Sequence, residues 1–299
     1  MYDLIIVGGG PAGLTAAAYA LNKRIETLVI SEDLGGKINN RITLKGFEGH
    51  EIISGVDIVE KYKHQLEYLN FAHQIDHVTK LTTVNRHFAV VTQNDKHYET
   101  RTVILATGAT AQRIDVPGEK RLIGHGLSYS TISHAQLFID KEAALVGSSG
   151  RALRSAAELA EVAKHVHLIL PDRGEIDSPL GRKLRANPKL TLYENYELIQ
   201  IRGEQFVEEV VVRGKGETQS IPVDGLFVEL GLTPNSQLAL DLVLTNSSGK
   251  IVVDSKCATS RPGIFAAGDV TDVFVEQVLI SIGEGAKAAL SAYEYLLNL

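Results

Sequence analysis

The run Tyr2-Asp3-Leu4-Ile5-Ile6-Val7-Gly8-Gly9-Gly10-Pro11-Ala12-Gly13-Leu14-Thr15-Ala16-Ala17-Ala18-Tyr19-Ala20-Leu21 decides the fold. Tyr2 to Val7 is short, apolar and β-rich, Gly8 to Gly13 interrupts it, and Leu14 to Leu21 is Ala-rich with helical propensity. One helix length later Thr27-Leu28-Val29-Ile30 is a second apolar run. The pattern predicts a βαβ unit with G-x-G-x-x-G at Gly8, Gly10 and Gly13, placed between strand and helix where the motif carries meaning. Its glycines meet separate needs: a tight turn, close approach of backbone to a pyrophosphate, and close packing of helix on strand. Pro11 and Ala12 open the helix, whose N-terminus adds partial positive charge. An acid that holds a ribose belongs at the end of the second strand, where the chain reads Ser31-Glu32. Glu32 is the candidate; the alternative is a solvated turn residue.

Outward from this unit, 299 residues predict two domains with a core that needs no staples. A single cysteine, Cys257, excludes an internal disulfide, a CxxC pair and a multi-cysteine metal site. With 30 Lys+Arg against 36 Asp+Glu, the net charge of −6 argues against nucleic acid or anionic membrane as the main partner. Leu4 to Asn22 is uncharged and close to the roughly 20 residues of a spanning helix, but Gly8 to Pro11 breaks it. No Lys or Arg precedes it and no cleavage pattern follows, so no signal peptide is expected. The expectation is a soluble, cytoplasmic protein with no membrane insertion.

Two further strand-to-turn motifs lie downstream, Val103-Ile104-Leu105-Ala106-Thr107-Gly108-Ala109 and Gly263-Ile264-Phe265-Ala266-Ala267-Gly268-Asp269-Val270. Between them is a second βαβ unit. Ala143 to Gly147 enters Ser148-Ser149-Gly150-Arg151-Ala152, a helix runs through Leu159 and Ala163, and His167 to Leu170 is the next strand. The predicted fold is α/β, with two Rossmann-like dinucleotide-binding domains, the second inserted in the first. The first takes residues 1–111 and 236–299 and the second 112–235, with Gly231-Leu232-Thr233-Pro234-Asn235 marking the return. In the second motif Ser149 replaces the middle glycine and puts a Cβ where a pyrophosphate should lie. Arg151 and Arg154, at the start of a helix whose N-terminus is already positive, are either an anion site or solvated cations.

The late motifs resemble those of the two-dinucleotide-binding flavoproteins, and the whole chain resembles the low-molecular-weight thioredoxin reductase family. The likeness is carried by Gly8 to Gly13, Gly35-Gly36, Ala106-Thr107-Gly108, Ser128-Tyr129, the second βαβ unit, Gly231 with Pro234-Asn235, Gly263 to Asp269, and Gln277. It implies an FAD-bound homodimer of two α/β domains. FAD contacts are then expected at Gly8, Gly10, Pro11, Ala12, Gly13, Ser31, Glu32, Gly36, Lys37, Ala106, Thr107, Gly108, Gly268, Asp269, Glu276, Gln277 and Val278. By resemblance Asp269 takes the ribityl chain. Gly268 lets the backbone approach, and an acid after a buried strand has a polyol hydroxyl as a natural partner, the alternative being a helix cap.

The departures from the family fall where its chemistry is done. Ser130-Thr131-Ile132-Ser133 stands in place of the CxxC, and hydroxyls do not exchange with disulfides. Leu170-Pro171-Asp172 replaces the His-Arg-Arg cluster that reads a 2′-phosphate, and Asp172 would repel that dianion. This argues against NADPH. NADH stays open as a weak donor, with Asp172 on a free ribose hydroxyl and Arg173 turned inward. Lys37 stands for a glutamine and Glu276 for an arginine. If Glu276 faces the flavin it lowers the potential, and if it faces solvent it does little. Lys37 either compensates or stabilises an anionic flavin. His134 is the candidate acid/base, the alternative being a hydrogen-bonded structural histidine, and Tyr129 is a candidate to pack by the ring. His165-x-His167 resembles a metal pair only superficially, and no metal site is expected. Cys257 reads as a packing residue. Three functions fit: an FAD oxidoreductase exchanging electrons with ferredoxin, flavodoxin or another non-thioredoxin partner; a non-catalytic flavin-binding sensor; and a ferredoxin–NAD(P) reductase-like enzyme. No G-x-S-x-G elbow exists, so a hydrolase is not expected.

Overall fold

The computed structural model describes residues 1–46, 55–69 and 72–299. They form two compact units, one of 1–39, 55–69, 72–110 and 233–299, the other of 40–46 and 111–232. The first unit opens with β1 (Tyr2–Val7), α1 (Pro11–Asn22) and β2 (Thr27–Ser31). After α2 (Val56–Tyr68) come β3 (His73–Ile75), β4 (Val78–Val84), β5 (His87–Thr92) and β6 (His97–Leu105). Their sheet order is β3-β2-β1-β6-β5-β4. β1 is parallel to both β2 and β6, with Val7 level with Ile30 and Leu105. All five residues of β2 are buried, as a central parallel strand covered on both faces requires. α1 begins at Pro11, whose missing N–H costs nothing in a first turn.

The second unit begins with β7 (Leu127–Ser128), β8 (Glu142–Val146), α3 (Gly150–Val162), β9 (His165–Leu170) and β10 (Leu190–Glu194). An antiparallel sheet of β11 (Tyr196–Arg202), β12 (Glu209–Gly214) and β13 (Glu217–Pro222) follows, then β14 (Gly225–Val228). The central sheet is parallel throughout, in the order β10-β9-β8-β14-β7. Leu153, Ala156, Leu159 and Ala160 of α3 are its buried stripe, packed in one cluster with Phe138 and Phe227. Ile42 and Leu44 are buried in that same cluster.

The chain then returns to the first unit through β15 (Ile264–Ala266), parallel to the end of β6, and α4 (Val278–Leu297). Ser281, Gly285, Ala288, Ala289 and Ala292 form the buried stripe of α4, and a Cβ on Gly285 would run into the carbonyl oxygen of Ala12. Small residues at helical spacing let α4 lie directly on α1. Both predicted Rossmann-like domains are therefore present, and in each the parallel strands end level along one edge. Among the described residues no helix is long and apolar enough to cross a membrane.

Candidate functional site

At the carboxyl edge of the first sheet Val7, Leu105 and Ala266 end side by side, which gathers the three motif turns that are far apart in sequence. Gly8 leaves β1 at φ +111°, and a Cβ there would strike the carbonyl of Ala106. Gly13 packs its Cα on the Gly8 carbonyl with no room for a side chain. Gly10 is different: a Cβ there would meet no atom within 4 Å among the described residues. It caps α1 with no side-chain hydrogen bond to the first-turn amides. Gly108, at φ +69°, also faces open space. This is a cradle that fits a dinucleotide, with free amides at a helix N-terminus and no Cβ in the way.

The second turn is stapled by a residue outside the motif. Thr107 Oγ1 donates to the Asn235 carbonyl at 2.6 Å, and Asn235 Nδ2 donates back to the Thr107 carbonyl at 2.9 Å. At the third turn Lys37 Nζ lies 2.7 Å from Asp269 Oδ2, so two residues singled out separately form one ion pair. Gly268 N donates to Glu284 Oε2 on α4 at 2.8 Å. Glu276 is partly buried and pairs with Lys250 at 2.7 Å, an interaction absent from both orientations considered for it. Gln277 is the N-cap of α4, exposed and without a side-chain cap bond, and Val278 opens the helix. Ser31 is buried and its hydroxyl donates to the Asp33 carbonyl, while Glu32 is exposed and 3.3 Å from His77. Gly36 N donates to Asp33 Oδ1, and its backbone lies against Gly10.

The equivalent edge of the second unit is occupied by the protein's own carboxylates. Gly150 N donates to Glu175 Oε1 at 2.8 Å, and Ser149 Oγ caps α3 by accepting from Ala152 N at 3.3 Å. Ser148 Oγ donates to Asp172 Oδ1. Arg151 pairs at 2.9 Å with Glu229, a carboxylate only 2 % exposed that also accepts from Ser155 Oγ and Thr131 N. Of the two cations at this helix start, Arg151 is held inward by the buried Glu229 and Arg154 is exposed. Arg173 likewise does not turn inward; it is exposed and paired with Asp177.

Beside this edge, β7 leads into the Ser130–Ser133 segment. Ser130 Oγ donates to Ser133 Oγ at 2.9 Å, so the two hydroxyls face each other as a dithiol would. His134 is buried, shares a 2.8 Å hydrogen bond with Ser128 through Nδ1, and has no partner at Nε2 among the described residues. Burial pushes its pKa down to about 4, which favours the neutral imidazole at pH 7 and fits the alternative of a hydrogen-bonded structural histidine. Tyr129 donates to Glu119 Oε1 at 2.6 Å; burial, then the carboxylate, holds its phenol above the usual range. His165 bonds Thr191 and His167 lies near Tyr193, and among the described residues no group of His, Cys, Asp or Glu gathers to hold a metal. Cys257 is buried and its thiol is pushed up to about 11, as suits a packing residue. Sequence reasoning missed Glu175, Glu229, Lys250 and Glu284. Of these only Glu229 had a signal, a charge ending the apolar run Leu226-Phe227-Val228.

A match to the pyridine nucleotide-disulphide oxidoreductase family covers residues 2–285. The chain belongs to that family. Members of this pyridine nucleotide-disulphide oxidoreductase family are FAD-dependent oxidoreductases. The thioredoxin reductase of Streptococcus pyogenes MGAS5005 is 32% identical and superposes with a TM-score of 0.89, covering 100% of this chain and 99% of that one. Thioredoxin reductase from Giardia duodenalis is 26% identical at a TM-score of 0.87, over 99% of each chain. Curated relatives at 34% identity include a component of the alkyl hydroperoxide reductase of Staphylococcus epidermidis and the NADH dehydrogenase of Bacillus subtilis, each matched over 99% of this chain. This chain spans 59% of the length of those two relatives.

Proposed function

We propose that this family member is an FAD-dependent oxidoreductase that does not reduce thioredoxin through a dithiol and makes little use of NADPH. It exchanges electrons with another partner, for which ferredoxin and flavodoxin are the leading classes. The observation that carries this reading is the Ser130–Ser133 pair, two hydroxyls 2.9 Å apart in a chain whose sole cysteine is buried elsewhere. Neither oxygen accepts electrons or forms a mixed disulfide.

FAD, when bound, supplies the two-electron redox chemistry. The first unit would hold its pyrophosphate at Gly10 and the α1 amides, and its ribityl chain at Asp269, which Lys37 holds in place. Glu276 faces Lys250, so its charge is offset within the protein. His134 serves as a structural hydrogen-bonding residue. The resemblance to thioredoxin reductases supports a homodimer.

The test is an anaerobic titration of the purified yellow protein, followed by flavin absorbance. Dithionite and reduced ferredoxin are expected to bleach it, and NADPH at micromolar concentration is not. Bleaching by micromolar NADPH, or turnover of thioredoxin by the unmodified chain, would overturn the proposal. Bleaching by dithionite alone would shift the reading to the sensor.

A further inference from the structure

The family architecture seats a nicotinamide dinucleotide at the N-terminus of the helix in its second unit, and the residues present do not fit one. At Gly150 the close approach that a glycine permits is already used by the protein. A Cβ on Gly150 would stand 2.7 Å from Glu175 Oε2 and 2.9 Å from Oε1, so that carboxylate lies against the first residue of α3, next to Ser149, which holds the N-cap place that Gly10 holds in the first unit. The contact is held from both ends. Glu175 N donates to the Ser148 carbonyl at 2.9 Å, and the Ser148 hydroxyl is taken by Asp172.

We propose that Glu175 is a specificity residue: its carboxylate holds the pyrophosphate position at the α3 N-terminus and excludes nicotinamide dinucleotides from the second unit. This rests on the proposal that the chain makes little use of NADPH, and supplies its cause. A carboxylate on the Gly150 amide satisfies the helix N-terminus as a phosphate oxygen would, for the same electrostatic reason. An incoming pyrophosphate would have to displace it and would then lie beside two carboxylates, Glu175 and Asp172. Two of the nearby cations are already engaged, Arg151 with Glu229 and Arg173 with Asp177. Asp172 adds selectivity, since a 2′-phosphate meets its charge and a 2′-hydroxyl does not.

The test is calorimetric titration of the oxidised, FAD-loaded protein with NAD+ and with NADP+, which reads binding without turnover. The wild type is expected to bind neither tighter than about 1 mM. Glu175→Ala is expected to gain at least about tenfold for NAD+, equivalent to ~1.4 kcal/mol. Its gain for NADP+ is expected to be smaller. Glu175→Gln, of nearly the same shape and without the charge, is expected to gain in the same direction, and unchanged flavin content shows that both variants fold. Wild-type affinity for NAD+ below about 0.1 mM would overturn this inference alone, and wild-type affinity for NADP+ below about 0.1 mM would overturn it together with the proposal of little NADPH use. Weak binding by wild type and both variants alike would overturn the role of Glu175 alone.

Discussion

The helices α1 and α3 start from the same device, a parallel strand, a glycine turn and a helix N-terminus, yet among the described residues no side chain caps the first and a carboxylate fills the second. At α1 the acid of the following loop, Asp33, turns back to bond Gly36 within its own loop. At α3 the acid of the corresponding loop, Glu175, reaches the first helical amide. The motif therefore builds an anion seat in both units, and the loop after the second strand decides whether a ligand or the protein takes it.

Four measurements break or sharpen this contrast. The largest effect is expected at the open seat. Gly10→Val is expected to weaken FAD binding by about 3 kcal/mol, the upper range of an overpacking cost, while the apoprotein melts as before because the new Cβ meets nothing. Flavin absorbance per protein and apoprotein melting check it; loss of folding with the flavin would mean that Gly10 is a packing glycine like Gly13. Next comes the dry edge of the second unit. The unfolded His134 takes a proton near pH 6.5 and the buried one only near pH 4, so its contribution is complete above pH 6.5 and is lost as pH falls toward 4. Wild type is expected to lose about 3 kcal/mol more than His134→Asn in urea unfolding between pH 7 and pH 4. Parallel curves for the two proteins would remove the argument that His134 is held neutral.

The third is Asp269→Asn, which leaves Lys37 without its charged partner and is expected to weaken FAD binding about tenfold, within the range for a charge-assisted hydrogen bond. Unchanged affinity in a flavin-release assay would show that Asp269 serves only the protein. The smallest effect belongs to Lys37→Gln. Because the lysine is 44% exposed, its ion pair is worth under about 1 kcal/mol, and the dissociation constant of FAD is expected to move less than about fivefold. A shift beyond tenfold would make Lys37 a direct flavin ligand.

Much of this was legible in the sequence, because strands, glycine turns and an Ala-rich helix announce themselves within ten residues. Gly8 and Gly13 are hemmed in by backbone, as a tight turn and close helix packing require, and Gly10 is open among the described residues. What stayed illegible depends on reach. Lys37 and Asp269 lie 232 positions apart, and nothing local in either says that they meet. Glu175 is five residues past the end of β9, where a solvated loop acid is the ordinary reading, and only the path of the loop brings it back to Gly150. Arg151 was visible as a cation at a positive helix end, but the buried acid that claims it lies 78 residues downstream.

The stripe of small residues by which α4 lies on α1 also sets an order in time. As the chain is synthesised, β1 and α1 emerge before β15 and α4, which follow only after residues 111–232 of the second unit have been made. That later unit is contiguous from residue 111 to 232 for nearly all its length and can fold while its predecessor waits, half a sheet with an uncovered helix. The cradle of the first unit therefore closes only after α4 has been made. A nascent chain that stalls before residue 264 is expected to carry a complete second unit beside a first unit whose cradle is still open.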